Sequence, residues 1–227
     1  MDTKTRSICR FGAICALAAG ILYICIVVCA LFSPSSIATY IASEAYFKDF
    51  LSYRPVFITL KWLMLFANAA MIGVVCTFYA LHRDETHGLM TWVSVIAIVG
   101  FSVGMIQSVQ DVSMIPYMAD RYASGNEMVR EMIVTFGIAN PAIFVLSMGF
   151  PGLWFVIVSL QAWSNPFIPK HLVILGLLWG FGNITTVIAH VFYILELIYL
   201  VAWGALVFAP LWSIFEGLFL LKLSKSK

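Results

Sequence analysis

The sequence predicts an all-α membrane protein, a polytopic bundle of six transmembrane helices with both termini in the cytoplasm and an amphipathic segment between helices 1 and 2. Three observations carry that expectation. Of 227 residues, 62% are hydrophobic and 11% charged, with a mean hydropathy of +0.98; a soluble chain of this length carries more charge on its surface. Six apolar runs are long enough to span, since about 30 Å of hydrocarbon takes about twenty helical residues. The basic residues also fall unequally on the two sides of such a bundle.

The first span is Phe11 to Phe32, closed by Ser33-Pro34. Lys4, Arg6 and Arg10 precede it, but the run outlasts a signal-peptide core, and neither Cys25 nor Cys29 follows a small residue as a lipoprotein site requires. It reads as an uncleaved helix. Ser35 to Tyr53 then places Ile37, Tyr40, Ile41, Phe47 and Leu51 near one helical face. An amphipathic helix on the outer interface fits that pattern, and an ordered loop packed on the bundle fits it as well.

The second span, Val56 to Leu81, is opened by Pro55, whose missing N–H is harmless in a first turn. The third, Leu89 to Ile115, is expected to stop at Pro116. Met132 to Ala139 is too short to span and reads as an interfacial turn or a helical lead-in. The fourth span is Pro141 to Ala162, with Asn140 as its N-cap. A turn from Asn165 to Lys170 leads to the fifth, His171 to about Ala189, and the sixth runs from about Leu197 to Leu221. The boundary between the last two is weakly marked, because His190 to Glu196 contains no Gly or Pro. Pro151 and Pro210 fall mid-span and are expected to kink their helices. The whole chain, 1–227, reads as a single integral membrane domain.

With six spans, one side receives Lys4, Arg6, Arg10, Arg83, Lys170, Lys222, Lys225 and Lys227, while the other receives Lys48, Arg54, Arg121 and Arg130. The excess of basic residues marks the cytoplasmic side. A net charge of +2, scattered along the chain, gives no footprint for nucleic acid. The five cysteines form no CxxC pair and read as small apolar packing residues. Gly100-x-x-x-Gly104 and Gly176-x-x-x-Gly180 are spacings that let helix backbones approach.

Charge inside the spans is the main functional signal, because ionisable groups in hydrocarbon pair, face water or serve a site. Lys61 lies in the outer third of the second span, and Asn68 follows one heptad later on the same face. Gln107 and Asp111, four apart on the third span, reach the same depth, as do His190 at the end of the fifth and Glu196 at the start of the sixth. A contact of Lys61 with Asp111 or with Glu196 is expected there. Structural anchoring and a ligand site both remain open for this cluster. Glu216 lies near the cytoplasmic end of the sixth span, at the other depth, and cannot join it.

Catalytic patterns fail on placement. Gly100-Phe101-Ser102-Val103-Gly104 matches G-x-S-x-G, but Ser102 is mid-span, His190 is at an outer helix end, and no strand-to-helix elbow exists. His82 and His87 are five apart, off one helical face, so a zinc-helix motif is absent. Breaks in corresponding positions of two halves, the mark of an inverted-repeat transporter, are missing, since the interrupting prolines fall in the fourth and sixth spans.

Several short stretches together resemble a bacterial six-helix membrane family known only as domain of unknown function 4386. They are Ile41-Ala42-Ser43-Glu44-Ala45-Tyr46-Phe47, Tyr79-Ala80-Leu81-His82-Arg83, Trp163 to Leu172, and Phe215-Glu216-Gly217-Leu218. In that family a glutamate recurs in the final helix, which the resemblance carries over to Glu216. Members often have an acidic residue near the start of the second helix, where this chain has Lys61. The resemblance implies no activity, substrate or cofactor.

The functional expectation is a multi-pass protein of a bacterial inner membrane, more readily a non-enzymatic binding or accessory protein with a polar cluster in the outer half than an enzyme. The alternative is a small-molecule or ion-coupled transporter using the intramembrane charges; a lipid-acting enzyme has least support. Membrane lipids, a small amphipathic ligand or a membrane-protein partner are the expected partners, and no cofactor, metal or nucleic acid is expected.

Overall fold

In hydrocarbon every backbone N–H and C=O must find its partner within the protein, which leaves helices or closed barrels. In the computed structural model every regular element is helical; residues 3–34, 43–82, 87–136, 143, 145–192 and 194–225 are described. The elements are α1 (Thr3–Leu31), α2 (Glu44–His82), α3 (His87–Ser124), α4 (Glu127–Thr135), a π-helical turn (Val145–Gly149) running into α5 (Phe150–Trp163), α6 (Lys170–Val191) and α7 (Leu195–Lys225). Six of these helices, the π turn being counted with α5, are long and apolar enough to cross a membrane. The six expected spans are all present. Asn140 and Pro141, expected to open the fourth, lie outside the described residues, as do Ile37, Tyr40 and Ile41 of the expected amphipathic segment.

The six helices close into a ring in chain order. α1 packs on α2, α2 on α3, α3 on α5, α5 on α6, α6 on α7, and α7 returns to α1. Short connections make sequence neighbours into antiparallel spatial neighbours. Both termini therefore lie at one end, where Thr5 of α1 and Leu223 of α7 line the same cavity.

Pro55 and Pro116 do not mark helix ends as expected. α2 does not start at Pro55 but at Glu44, and α3 runs through Pro116 to Ser124. Helices of 39 and 38 residues are about 57 Å long, nearly twice the hydrocarbon thickness. The part of the amphipathic segment that is described, Glu44 to Tyr53, is thus the first three turns of α2 rather than a separate surface helix. The loss of one hydrogen bond at each proline is offset by burial. Tyr46, Phe47, Phe50, Tyr53 and Phe57 of α2 pack with Ile115, Ala119 and Tyr122 of α3 in a cluster at the end away from the termini. Phe47 stacks on Tyr122 with centroids 5.1 Å apart, and Arg54 reaches Asp120 at 3.1 Å. The Tyr53 hydroxyl donates to the Cys29 carbonyl at 2.9 Å and ties in the end of α1. α4 follows, capped by Asn126, whose side chain accepts from the Val129 N–H at 3.1 Å.

Pro151 sits at the start of regular α-helix, immediately after the π turn, and not in its middle. A π turn widens the backbone where a proline has no N–H to donate. The space for the ring comes from α3: a Cβ on Gly100 would meet Pro151 Cδ at 2.5 Å and the Leu146 carbonyl at 2.7 Å. Pro210 lies inside α7 as expected.

An aromatic node occupies the ring's interior. Phe78 of α2, Trp154 and Phe155 of α5, Trp179 of α6 and Trp212 of α7 are all buried. The Phe155 ring centre lies 4.0 Å from that of Trp179 and 4.9 Å from that of Trp212, and Tyr23 of α1 meets Trp179 edge-on at 5.5 Å. Bulky aromatics from five helices thus close the bundle's centre.

Candidate functional site

At the end of the bundle away from the termini, Lys61 of α2 and Asp111 of α3 form an ion pair of 2.9 Å. The two side chains are 7% and 9% exposed. The Lys61 ammonium also lies 5.2 Å from the Phe57 ring centre, a cation–π contact one turn away. One heptad further along both helices, Asn68 faces Gly104, where a Cβ would come within 2.8 Å of the Asn68 amide nitrogen. The small residue in the Gly100–Gly104 spacing therefore admits a polar side chain as well as a close helix. The expected contact with Asp111 forms.

The other residues of the expected cluster sit on three helices. Gln107 is half-buried on α3. His190 donates from Nδ1 to the Thr186 carbonyl at 2.8 Å, within its own helix. Glu196 is exposed in the first turn of α7, a helix whose main neighbours are α1 and α6 rather than α2.

The open space lies at the opposite end. A half-open cavity of about 280 Å³ penetrates between the ends of α1, α2, α5, α6 and α7, just below the usual size of ligand pockets, about 300–1,000 Å³. Thr5 and Cys9 of α1, Leu81 and His82 of α2 and Phe219 and Leu223 of α7 line it, together with the turn residues Asn165, Phe167 and Ile168. Phe78 and Trp212 of the aromatic node form part of its wall, as does Ser159 of α5. Along α7 the lining runs from Leu223 to Trp212, a depth of about 16 Å at the helical rise.

Local sequence shapes this end. Asn165 accepts from the Phe167 N–H at 2.9 Å, an Asx turn that folds Pro166 and Phe167 across the α5–α6 connection. Lys170 closes the turn by donating to the Trp163 carbonyl, and its ammonium sits 5.8 Å from that indole. Phe167 is 84% exposed. Trp163, Phe167 and Lys170 have the aromatic and basic character of a membrane–water boundary. His82 donates from Nδ1 to the Phe78 carbonyl at 3.1 Å, which leaves Nε2 as the ring's acceptor.

Glu216 stands on the cavity wall, 3% exposed. Among the described residues its carboxyl has no hydrogen bond and no ion pair. Its oxygens are not among the fully enclosed unpartnered atoms of the bundle, so the open space they border is the cavity. Between Glu216 and the Lys61–Asp111 pair the buried side chains include Met71, Val74 and Val75 of α2, Val93, Ala97 and Phe101 of α3, and the aromatic node. No Asp, Glu, Lys, Arg or His is buried in that layer among the described residues.

Sequence reasoning found Glu216 and the ion pair but missed the cavity, with Thr5, Cys9, Ser159 and Asn165 in its lining. The only advance signal was the Asn-Pro and Ile-Pro-Lys turn from Asn165 to Lys170. Among the described residues no three His, Cys, Asp or Glu side chains gather as a metal site would need.

Comparison with curated proteins and with solved structures found no match to either. The family model described as "Domain of unknown function (DUF4386)" matches residues 18–223, a stretch that holds the ion pair, most of the cavity and Glu216. The chain belongs to that family.

Proposed function

We propose that this chain is a non-enzymatic binding protein of a bacterial inner membrane, taking a small amphipathic molecule into the cavity beside Glu216. One observation carries the reading: a cavity of about 280 Å³ holds on its largely apolar wall a buried carboxyl that makes no hydrogen bond or ion pair among the described residues, with the Cys9 thiol as its electrostatic neighbour. An apolar enclosure with one placed polar group is the usual form of a small-molecule pocket. The outer cluster expected from sequence fits this role less well, because Lys61 and Asp111 already satisfy each other. Transport would need a polar route from that pair to Glu216; the layer between them holds Ser94, Asn183 and Ser213 but no buried charge among the described residues, and the aromatic node closes its centre, which favours binding without passage.

The test uses purified protein in lipid nanodiscs, titrated with small arylalkyl compounds while intrinsic tryptophan fluorescence is followed, Trp212 being on the cavity wall. Saturable binding is expected in the wild type and its loss in Val173→Phe, which fills the cavity. Equal binding in both proteins would remove the cavity reading. Uptake of the bound compound by vesicles containing the protein, absent from empty vesicles, would replace it with transport.

A further inference from the structure

We infer that the cavity's ligand carries an ammonium group on an apolar body, and that Glu216 is its counter-ion. The inference rests on the proposed binding role and specifies its chemistry. The Glu216 side chain is almost completely withdrawn from solvent, reaches the cavity and has no donor from the described protein. His82, the other titratable ring on the wall, turns its Nδ1 proton to the Phe78 carbonyl. The carboxyl's acceptor capacity is thus left to whatever enters.

The rest of the wall selects among possible cations. A bare metal ion needs several ligands, and although Cys9 and His82 share the cavity wall with Glu216, no three His, Cys, Asp or Glu side chains gather into a metal group among the described residues. An organic ammonium brings its own apolar surface to Phe219, Leu220 and Val173, and N–H donors to the carboxylate. The rings of Phe78 and Trp212 add aromatic faces, which attract such a cation. The cavity opens at the end with Trp163, Phe167 and Lys170, the level at which amphiphiles place their head groups. The same chemistry is offered by a free amphipathic amine and by the ethanolamine head of a phospholipid.

A matched set of probes separates these possibilities in nanodiscs: 4-phenylbutylamine, its trimethylammonium analogue, 4-phenylbutanol and 4-phenylbutyrate. The amine is expected to bind wild type best, the trimethyl analogue more weakly for lack of N–H donors, and the carboxylate least. Glu216→Gln keeps the side-chain shape and is expected to weaken amine binding about tenfold or more, with little change for the alcohol. Nanodiscs made with phosphatidylethanolamine, compared with phosphatidylcholine, then name the source. A lower apparent amine affinity in the former points to the lipid head, and equal affinity to a free amine.

Equal binding of amine and alcohol to wild type, or unchanged amine binding in Glu216→Gln, overturns the inference. In that case the binding role survives if Val173→Phe still abolishes binding of the alcohol. If Val173→Phe changes nothing for any probe, the binding role falls too.

Discussion

Lys61 and Asp111 show why an ion pair inside a bundle is a matter of geometry. Moving either charge out of water costs several kcal/mol even after the protein relaxes, and a close, well-directed partner is what offsets it. Here the partner is 2.9 Å away on the neighbouring helix. Removing one member strands the other. Lys61→Met or Asp111→Leu alone is expected to destabilise the protein by about 3–5 kcal/mol, while the double variant Lys61→Met/Asp111→Leu recovers most of that loss. Unfolding in mild detergent checks this; single variants as stable as wild type would show that water or lipid already solvates these groups. Both residues were legible as a pair because their depth follows from chain position alone. Glu196 was an equal candidate on depth and lost on azimuth, since α7 meets α1 and α6.

Among the elements, α5 and α6 approach backbone to backbone. A Cβ on Gly180 would lie 2.9 Å from both the Gly152 carbonyl and the Val156 nitrogen, main-chain atoms that cannot swing aside. Gly182, two residues on, has nothing within 4 Å. Gly180→Ala is expected to cost about 1–3 kcal/mol as overpacking, and Gly182→Ala to be neutral or to gain up to about 1 kcal/mol from helix propensity. Detergent unfolding of the two variants side by side tests the packing; equal stabilities would mean that the helices can part without cost. The sequence flagged Gly176–Gly180 as a packing motif, but glycine spacing alone does not say which helix it receives. Gly176 takes Ser159 and Gly180 takes the α5 backbone. Helix ends were read less well than helix existence. Pro55 and Pro116 looked like boundaries because a proline lacks an N–H, yet the aromatic cluster of Tyr46, Phe47, Phe50, Phe57 and Tyr122 carries both helices past them.

For the whole molecule, the ring of six helices in chain order places both termini, the Asn165–Lys170 turn and the cavity mouth at one end. We propose that this end faces the cytoplasm, on the sequence count of eight basic residues against four. A fluorescent protein fused after Lys227 is therefore expected to be bright, and alkaline phosphatase inserted at Gly125 to be active. The reverse pattern would turn the bundle over and move the cavity to the outer face. Orientation, unlike the site, depends on features that lie outside the spans and are counted without knowing how helices pack.

That distinction runs through the protein. Hydropathy and charge depth are properties of each segment, and they determined six membrane-spanning helices and the levels of Lys61, Asp111 and Glu216. Only the tertiary structure decided which of those charges meet and where room is left over. Meeting depends on the rotation of each helix about its axis, and a cavity is the volume that side chains from five helices together fail to fill. Neither quantity belongs to any one stretch of sequence.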